Sequence, residues 1–315
     1  MEIEFEKWQA CLNNFILIWS SKNQSKYLYD SLRRQAHKLC NSDGSGISAD
    51  GILCLTVEDY SSLLPNELTI INQDGSLAKN CGNGLRCAAS SIYNRISKIG
   101  KNYDLPEFVD IKVGQHSFMC QFLEKKNYQS IPYTLVDMGD VLLNMNNSWH
   151  LESCEEVQNI FHKMNKKISK EDISTCFIQN KHISIFHEEA DEFLLEEVGS
   201  KLQKSKLWDG INVHIVKEIS YDSLSPEEKN NLLPHSGQDI YQMWTWERGV
   251  GPTKACGSGA CSVASQVFST GFVSREDVLL IKSSGGIVQV KQSSPDSSVQ
   301  LLGDAKLAFS GRVDV

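Results

Sequence analysis

Lys79-Asn80-Cys81-Gly82-Asn83-Gly84 and Lys254-Ala255-Cys256-Gly257-Ser258-Gly259 carry one local pattern, Lys-x-Cys-Gly-x-Gly, twice in a chain of 315 residues. Small, helix-compatible residues follow each copy: Leu85-Arg86-Cys87-Ala88-Ala89-Ser90 in the first, Ala260-Cys261-Ser262-Val263-Ala264-Ser265 in the second. A repeat of this length is improbable by chance. It implies two related halves, each bringing one cysteine to a glycine-lined turn at the start of a helix.

Strand-like runs lead into both copies. Phe15–Trp19, Gly51–Val57 and Leu68–Ile71 precede the first, and Ile183–Phe186, Ile211–Val216 and Tyr241–Trp246 precede the second. Gly286–Val290 and Ala305–Phe309 read as late strands from their alternation and β-branched content. Helical composition covers Ser25–Leu39, Asn83–Ile99, Glu188–Leu202 and Gly259–Phe268, with Gly100 and Gly271 as stops after the two cysteine helices. Strands outnumber helices and hairpin-scale spacing prevails. The fold class is therefore α+β: two pseudo-symmetric domains, each a curved, mainly antiparallel sheet around a central helix. The halves meet within Lys125–Pro132, a polar stretch ending in proline. The domains are placed at 1–128 plus 303–315 and at 129–302. Ser223–Glu228 and Ser293–Ser298 read as exposed excursions.

The composition is 41% apolar and 22% charged, ordinary for a globular chain. A net charge of −8, with no run of Lys and Arg, argues against nucleic acid as a partner. No apolar stretch approaches the roughly 20 residues of a membrane helix. Glu2, Glu4 and Glu6 give the N-terminus the wrong sign for a signal peptide. No membrane partner is expected, and the chain is expected in the cytoplasm. The ten cysteines are scattered with no Cys-x-x-Cys pair, so no structural zinc site, and no metal, is expected. Cys11, Cys54, Cys120 and Cys176 read as buried small hydrophobes, and Cys87 and Cys261 as core-facing positions along their helices.

Cys81 and Cys256 read differently. A thiol at a helix N-terminus meets unpaired amide hydrogens that favour thiolate. Gly82, Gly84, Gly257 and Gly259 let backbone amides approach a bound anion. A carboxylate held at two such helix starts would leave its α-carbon between two sulfurs. One thiolate would take the α-proton and the other thiol would return a proton to the opposite face, with amides stabilising the enediolate. That chemistry calls for no cofactor, and the sequence holds neither Gly-x-Gly-x-x-Gly nor a P-loop. The expected partner is a small amino-acid substrate.

At these residues the chain resembles the diaminopimelate epimerase family, cofactor-independent enzymes that interconvert LL- and meso-diaminopimelate. Asn72-Gln73-Asp74-Gly75-Ser76 with Cys81-Gly82-Asn83-Gly84-Leu85-Arg86-Cys87 is similar to that family's first motif. Glu247-Arg248-Gly249-Val250-Gly251, Thr253 and Ala255–Cys261 are similar to its second. The resemblance runs end to end and thins between about 120 and 175. It implies Cys81 and Cys256 as the acid/base pair. It also implies Asn13, Asn72, Gly82, Asn83, Asn180, Asn212, Glu247, Arg248, Gly257 and Ser258 as substrate-binding positions. Asn13, Asn72, Asn180, Asn212, Glu247 and Arg248 would grip the amino-acid group distant from the reacting carbon: Arg for a carboxylate, Glu for an ammonium. The chain departs from the family pattern at Leu12 and Asn14 (Gly and Asp there), Gly51 (Gln in some members), Lys181 (Pro) and Pro252 (Glu), and Gln9 stands where His is common. The implied activity is epimerisation of diaminopimelate in lysine and peptidoglycan synthesis. A racemase of another amino acid such as glutamate, and a non-epimerising isomerase or binding protein of the same fold, stay open. The resemblance leaves room for a homodimer.

Overall fold

The computed structural model describes residues 1–99, 106–123, 132–144, 148–204, 210–232 and 239–315. Gly100 and the expected junction up to residue 131 lie outside them. The chain divides into two compact units, Met1–Asp137 with Leu302–Val315, and Met138–Leu301.

In the first unit, β1 (Glu2–Ala10) and β2 (Asn13–Ser21) form a hairpin, and α1 (Lys22–Cys40) crosses over to β3 (Gly51–Val57). β4 (Glu67–Asn72) and β5 (Leu77–Ala78) then lead into α2 (Gly82–Ile99). β6 (Phe108–Val113), β7 (His116–Leu123) and β8 (Tyr133–Asp137) follow, each antiparallel to the next in the order 6-7-8. The last strand, β18 (Lys306–Asp314), closes the first sheet against β1, giving the order 18-1-2-3-4-5.

The second unit repeats this plan. β9 (Leu142–Leu143) and α3 (Ser148–Lys163) precede the hairpin β10 (Ile173–Ile178) and β11 (Asn180–Phe186), and α4 (Glu192–Leu202) crosses over to β12 (Asn212–Ile219). After the short α5 (Pro226–Asn230), β13 (Ile240–Glu247) and β14 (Gly251–Thr253) lead into α6 (Gly257–Thr270). β15 (Leu279–Ser283) and β16 (Gly286–Lys291) form a hairpin, and β17 (Gln300–Gly303) carries the chain back to the first unit. The order 9-10-11-12-13-14 matches 18-1-2-3-4-5 strand for strand.

The central strands are nearly all buried because helices cover both faces. Along α1, Leu28, Leu32, Ala36 and Leu39 recur at helical spacing and pack with Ile16, Ile18, Ile52, Cys54 and Ile71. In the second unit Leu194, Leu195, Val198 and Leu202 of α4, with Val157, Ile160 and Phe161 of α3, cover Ile183, Ile185, Val213 and Ile215. The residues alternating with these face the cysteine helices. Those helices carry no charge inside apart from Arg86, and Ala88, Ala89, Ala260 and Ala264 are fully buried.

The α+β class holds, with three departures in detail. β2–β3, β11–β12 and β13–β15 are parallel pairs, so each sheet is mixed. The α3 helix is absent from the sequence expectations, although its buried positions Cys154, Val157, Ile160 and Phe161 recur at helical spacing and mark one apolar face. The α4 helix starts at Glu192 and not at Glu188. The side chain of Asp191 accepts from the Leu194 amide and sets that boundary, with the turn around His187 ahead of it.

Candidate active site

Both repeated cysteines sit at the same backbone position. Cys81 accepts the Leu85 amide on its carbonyl at 2.7 Å, and its Sγ accepts the Gly84 amide at 3.3 Å. Cys256 accepts the Ala260 amide at 2.9 Å, and its Sγ accepts the Gly259 amide at 3.4 Å. Each thiol is thus the N-cap of its helix, using sulfur where most caps use a hydroxyl or carboxylate oxygen. A helix start with amides aimed at sulfur stabilises a thiolate. Cys81 is part-exposed and Cys256 is 8% exposed. Burial pushes the thiols of Cys54 and Cys176 up to about 12, and that of Cys87 higher still. Cys87 and Cys261 are fully buried.

In the first unit the sheet brings the expected substrate positions to one end. Phe15 pairs with Gly51 and Gly51 with Asn72, so Asn13 and Asn72 share that end. Asn72 is exposed, and its amide donates to Ser76 Oγ at 2.9 Å. Asn83 is buried beside Gly82, and its Oδ1 accepts from Arg86 Nη2 at 2.5 Å. Its amide nitrogen is then the group left to meet a ligand. Arg86 is fully buried, with further bonds to Cys11 Sγ at 3.5 Å and to the Asp304 carbonyl at 3.2 Å. One guanidinium therefore ties the cysteine turn to the β1–β2 turn that precedes Asn13. In that turn Cys11 and Leu12 have φ of 51° and 58°, so Leu12 occupies left-handed backbone that suits glycine. At Gly51 a Cβ would lie 2.8 Å from the Ile71 carbonyl oxygen, so a side chain here requires the backbone to shift.

The second unit repeats the grouping. His182 pairs with Asn212, and Asn180 starts β11 after Gln179 at φ 61°. Asn212 Oδ1 accepts the Arg248 amide at 3.0 Å, and Thr253 Oγ1 donates to Glu247 Oε1 at 2.7 Å. Arg248 is exposed, and its stem lies across Gly210, where a Cβ would be 2.0 Å from Arg248 Cδ. Asn180, Asn212, Glu247 and Arg248 therefore gather at one sheet end. Gly257 is buried, and Ser258 Oγ lies 3.6 Å from Cys256 Sγ. Pro252, the exposed residue of β14, pairs with Trp246.

The sequence expectations give no role to three residues that meet near Cys256: His182, which ends the segment Asn180-Lys181-His182 that resembles the family's Asn-Pro-His, His214 and Thr245. His182 and His214 are fully buried, and His182 Nδ1 lies 2.9 Å from His214 Nε2. His214 Nδ1 lies 3.0 Å from Thr245 Oγ1. Burial brings His182 down to about 3 and, with His182 beside it, His214 well below its ordinary value. Each histidine sits in an apolar strand run, where one imidazole alone reads as core. Arg86 belongs to the first motif, and its complete burial has no signal in the sequence around it.

A model of the diaminopimelate epimerase family matches residues 178–308. The chain is 29% identical to a diaminopimelate epimerase of Clostridium perfringens over 98% of both chains. It is 26% identical to one of Methanococcus maripaludis over 86% of both. The chain is related to the diaminopimelate epimerases. It is an isomerase, an amino-acid epimerase by relationship. Among solved structures, a phenazine biosynthesis protein of the PhzF family from Bacillus anthracis superposes with a TM-score of 0.64 at 10% identity, covering 100% of both chains. A probable proline racemase from Agrobacterium radiobacter superposes with a TM-score of 0.59 at 8% identity, over 99% of this chain and 93% of that one. These two share the fold.

Two outcomes are expected from this geometry. A Cβ at Gly84 would meet the tip of Leu53 at 3.1 Å and Cys81 Cβ at 3.3 Å, tight contacts that small shifts relieve, whereas one at Gly259 would meet the His214 ring at 2.3 Å. Hydrogen bonds at both ring nitrogens hold His214 in place. Gly84→Ala should change urea-unfolding stability by less than about 1 kcal/mol, helix propensity offsetting the contact. Gly259→Ala should lose about 1–3 kcal/mol.

Because both histidines stay neutral in the folded chain, the unfolded state takes up more protons below pH 6.5. Stability should be full above that pH and fall as pH drops toward about 3, where folded His182 itself protonates. Each histidine contributes a slope of up to about 1.4 kcal/mol per pH unit in that window. Urea midpoints measured from pH 7 to pH 4 should show it, and His214→Leu should flatten it. An unchanged slope in that variant would contradict the assignment.

Proposed function

We propose that the chain interconverts LL- and meso-diaminopimelate by two-base proton transfer at the α-carbon, with Cys81 and Cys256 as the two bases, in lysine and peptidoglycan precursor synthesis. The observation that carries this reading is the matched pair of sulfur-capped helix starts, each with a glycine amide on sulfur. One thiolate removes the α-proton while the other thiol protonates the opposite face. Amides of the two helix starts, including those of Gly82, Asn83, Gly257 and Ser258, hold the α-carboxylate and take up enediolate charge. Arg248 receives the distal carboxylate and Glu247 the distal ammonium, with Asn13, Asn72, Asn180 and Asn212 completing the hydrogen bonds. The reaction draws on no cofactor. The names of the curated relatives support the substrate.

Incubation with LL-diaminopimelate in deuterated water tests this directly. The wild-type protein should form the meso isomer with deuterium at one α-carbon. Cys81→Ala and Cys256→Ala should each abolish turnover, whereas Cys87→Ala and Cys261→Ala should lose at most some stability. Near wild-type turnover in either of the first two variants would sink the two-base mechanism.

The chain lacks the Gln that some relatives carry at Gly51, a residue near the reacting amino group, which leaves a second reading: a racemase of relaxed specificity that accepts glutamate. The distal clamp decides between them. Diaminopimelate should be preferred over glutamate by at least about tenfold in kcat/KM, a difference of ~1.4 kcal/mol. Glu247→Gln, which removes the partner of the distal ammonium that glutamate lacks, should erase most of that preference, whereas Arg248→Ala should weaken both substrates. Comparable kcat/KM for both substrates in the wild-type protein would favour the broader racemase.

A further inference from the structure

The two units place different residues behind their cysteines, and strand register makes the comparison exact to the residue. In the first unit Phe15 pairs with Gly51, and two residues on Leu53 pairs with Ile70. In the second His182 pairs with Asn212, and two residues on His214 pairs with Thr245. Phe15, Leu53 and Ile70 thus occupy the places of His182, His214 and Thr245. The helix glycines agree, since Gly84 looks onto Leu53 and Gly259 onto His214. The fold fills this position with apolar side chains in one half, so packing does not require imidazoles in the other.

The two imidazoles converge on Cys256. One nitrogen of each ring and the Cys256 sulfur lie within 4.8 Å of one another. His182 Nε2 is buried with no hydrogen-bond partner among the described residues, so it can carry the ring hydrogen while Nδ1, which faces His214 Nε2, serves as the ligand. We propose that His182, His214 and Cys256 form a binding site for one thiophilic divalent cation of the zinc type, and that its occupancy withdraws Cys256 from proton transfer.

One thiolate and two neutral imidazoles are a donor set that suits zinc, with a fourth position open to water or a substrate carboxylate. Bonds of about 2.0–2.1 Å to nitrogen and about 2.3 Å to sulfur set tetrahedral donors roughly 3.3–3.6 Å apart. The facing nitrogens stand at 2.9 Å, so they part slightly while sulfur closes in. Thr245 holds His214 by its other nitrogen, as metal-bound imidazoles are held. Burial already keeps both rings neutral, so their lone pairs need no deprotonation. On binding, the S–H bond breaks, the sulfur–metal bond forms and one proton leaves to solvent. The ring hydrogen between the two histidines shifts to another nitrogen of its own imidazole, and nothing is oxidised or reduced. The N-terminus of α6 opposes a bare cation, and the thiolate ligand offsets that.

The binding site stands on its own geometry; only its inhibitory effect rests on the proposed role of Cys256. The protein is stripped with a chelator and titrated with Zn2+ by competition against a chromophoric chelator, and separately with Co2+ by absorption. One ion per chain is expected, with release of one proton and a thiolate-to-cobalt charge-transfer band. Replacing the three residues by their first-unit counterparts, His182→Phe with His214→Leu and Thr245→Ile, should weaken binding at least tenfold. His214→Leu alone provides the check should the triple variant unfold, with circular dichroism as the control. Cys256→Ala should abolish the charge-transfer band, and Cys81→Ala should retain it. Absence of stoichiometric binding, undiminished binding in folded His214→Leu, or dependence on Cys81 would each overturn the proposal. Zn2+ should also suppress α-deuterium exchange reversibly. Should no exchange occur in the metal-free protein, the proposed reaction fails while the binding result stands.

Discussion

A backbone amide donating to a cysteine sulfur at the first turn of a helix is the contact on which the rest of this structure depends. A helix leaves its first amides without partners, and a thiolate is one of the few groups that both fills that vacancy and reacts. The constraint fixes much around it. The residue three positions on must bring its amide to sulfur, and the strand ahead must end at the cap. Leu68–Ile71 and Tyr241–Trp246 do lead into the two turns through short strands, β5 and β14. The sulfur is thus positioned by main chain, which substitutions elsewhere disturb little.

That main-chain logic explains what the sequence disclosed. The repeated Lys-x-Cys-Gly-x-Gly pattern encodes local geometry, so the two caps and their helices were legible, as were the strands that precede them. The buried parallel strands β2, β3, β11 and β12 read clearly because both of their faces are apolar. What stayed hidden depends on sequence-distant partners. Arg86 owes its role to Asn83, Cys11 and the chain near Asp304, and nothing local announces that. The β1 strand begins with alternating glutamates, Glu2-Ile3-Glu4-Phe5-Glu6. It is a strand because β18 and β2 pair with it on either side.

His182 and His214 were hidden for a related reason. Each stands alone in an apolar run, and only the register of β11 against β12 brings them to hydrogen-bonding distance. Internal duplication turns that observation into a controlled comparison. The same two strands, the same crossover and the same capped helix exist in both units, with Phe15 and Leu53 in one and His182 and His214 in the other. Desolvation of two imidazoles costs stability that the apolar pair does not. The difference therefore calls for a reason in chemistry and not in packing.

The two halves thus separate a shared framework from what is particular to each cysteine. Gly84 and Gly259 show the separation at one position. Both supply the amide that reaches sulfur, and any residue except proline has that amide. At Gly84 a Cβ would be met by the tip of Leu53 and by Cys81 Cβ at 3.1 and 3.3 Å, distances that small shifts relieve. At Gly259 the space above the helix belongs to a ring hydrogen-bonded at both nitrogens, and the absence of a Cβ is what lets that ring lie against the first turn of α6. The same glycine in the same motif is thus permitted in one half and required in the other. The sulfur at Cys256 gains neighbours able to hold a proton or a cation, whereas the wall at the matching place in the first unit is apolar. Two thiols alike in their caps are consequently unlike in what lies behind them.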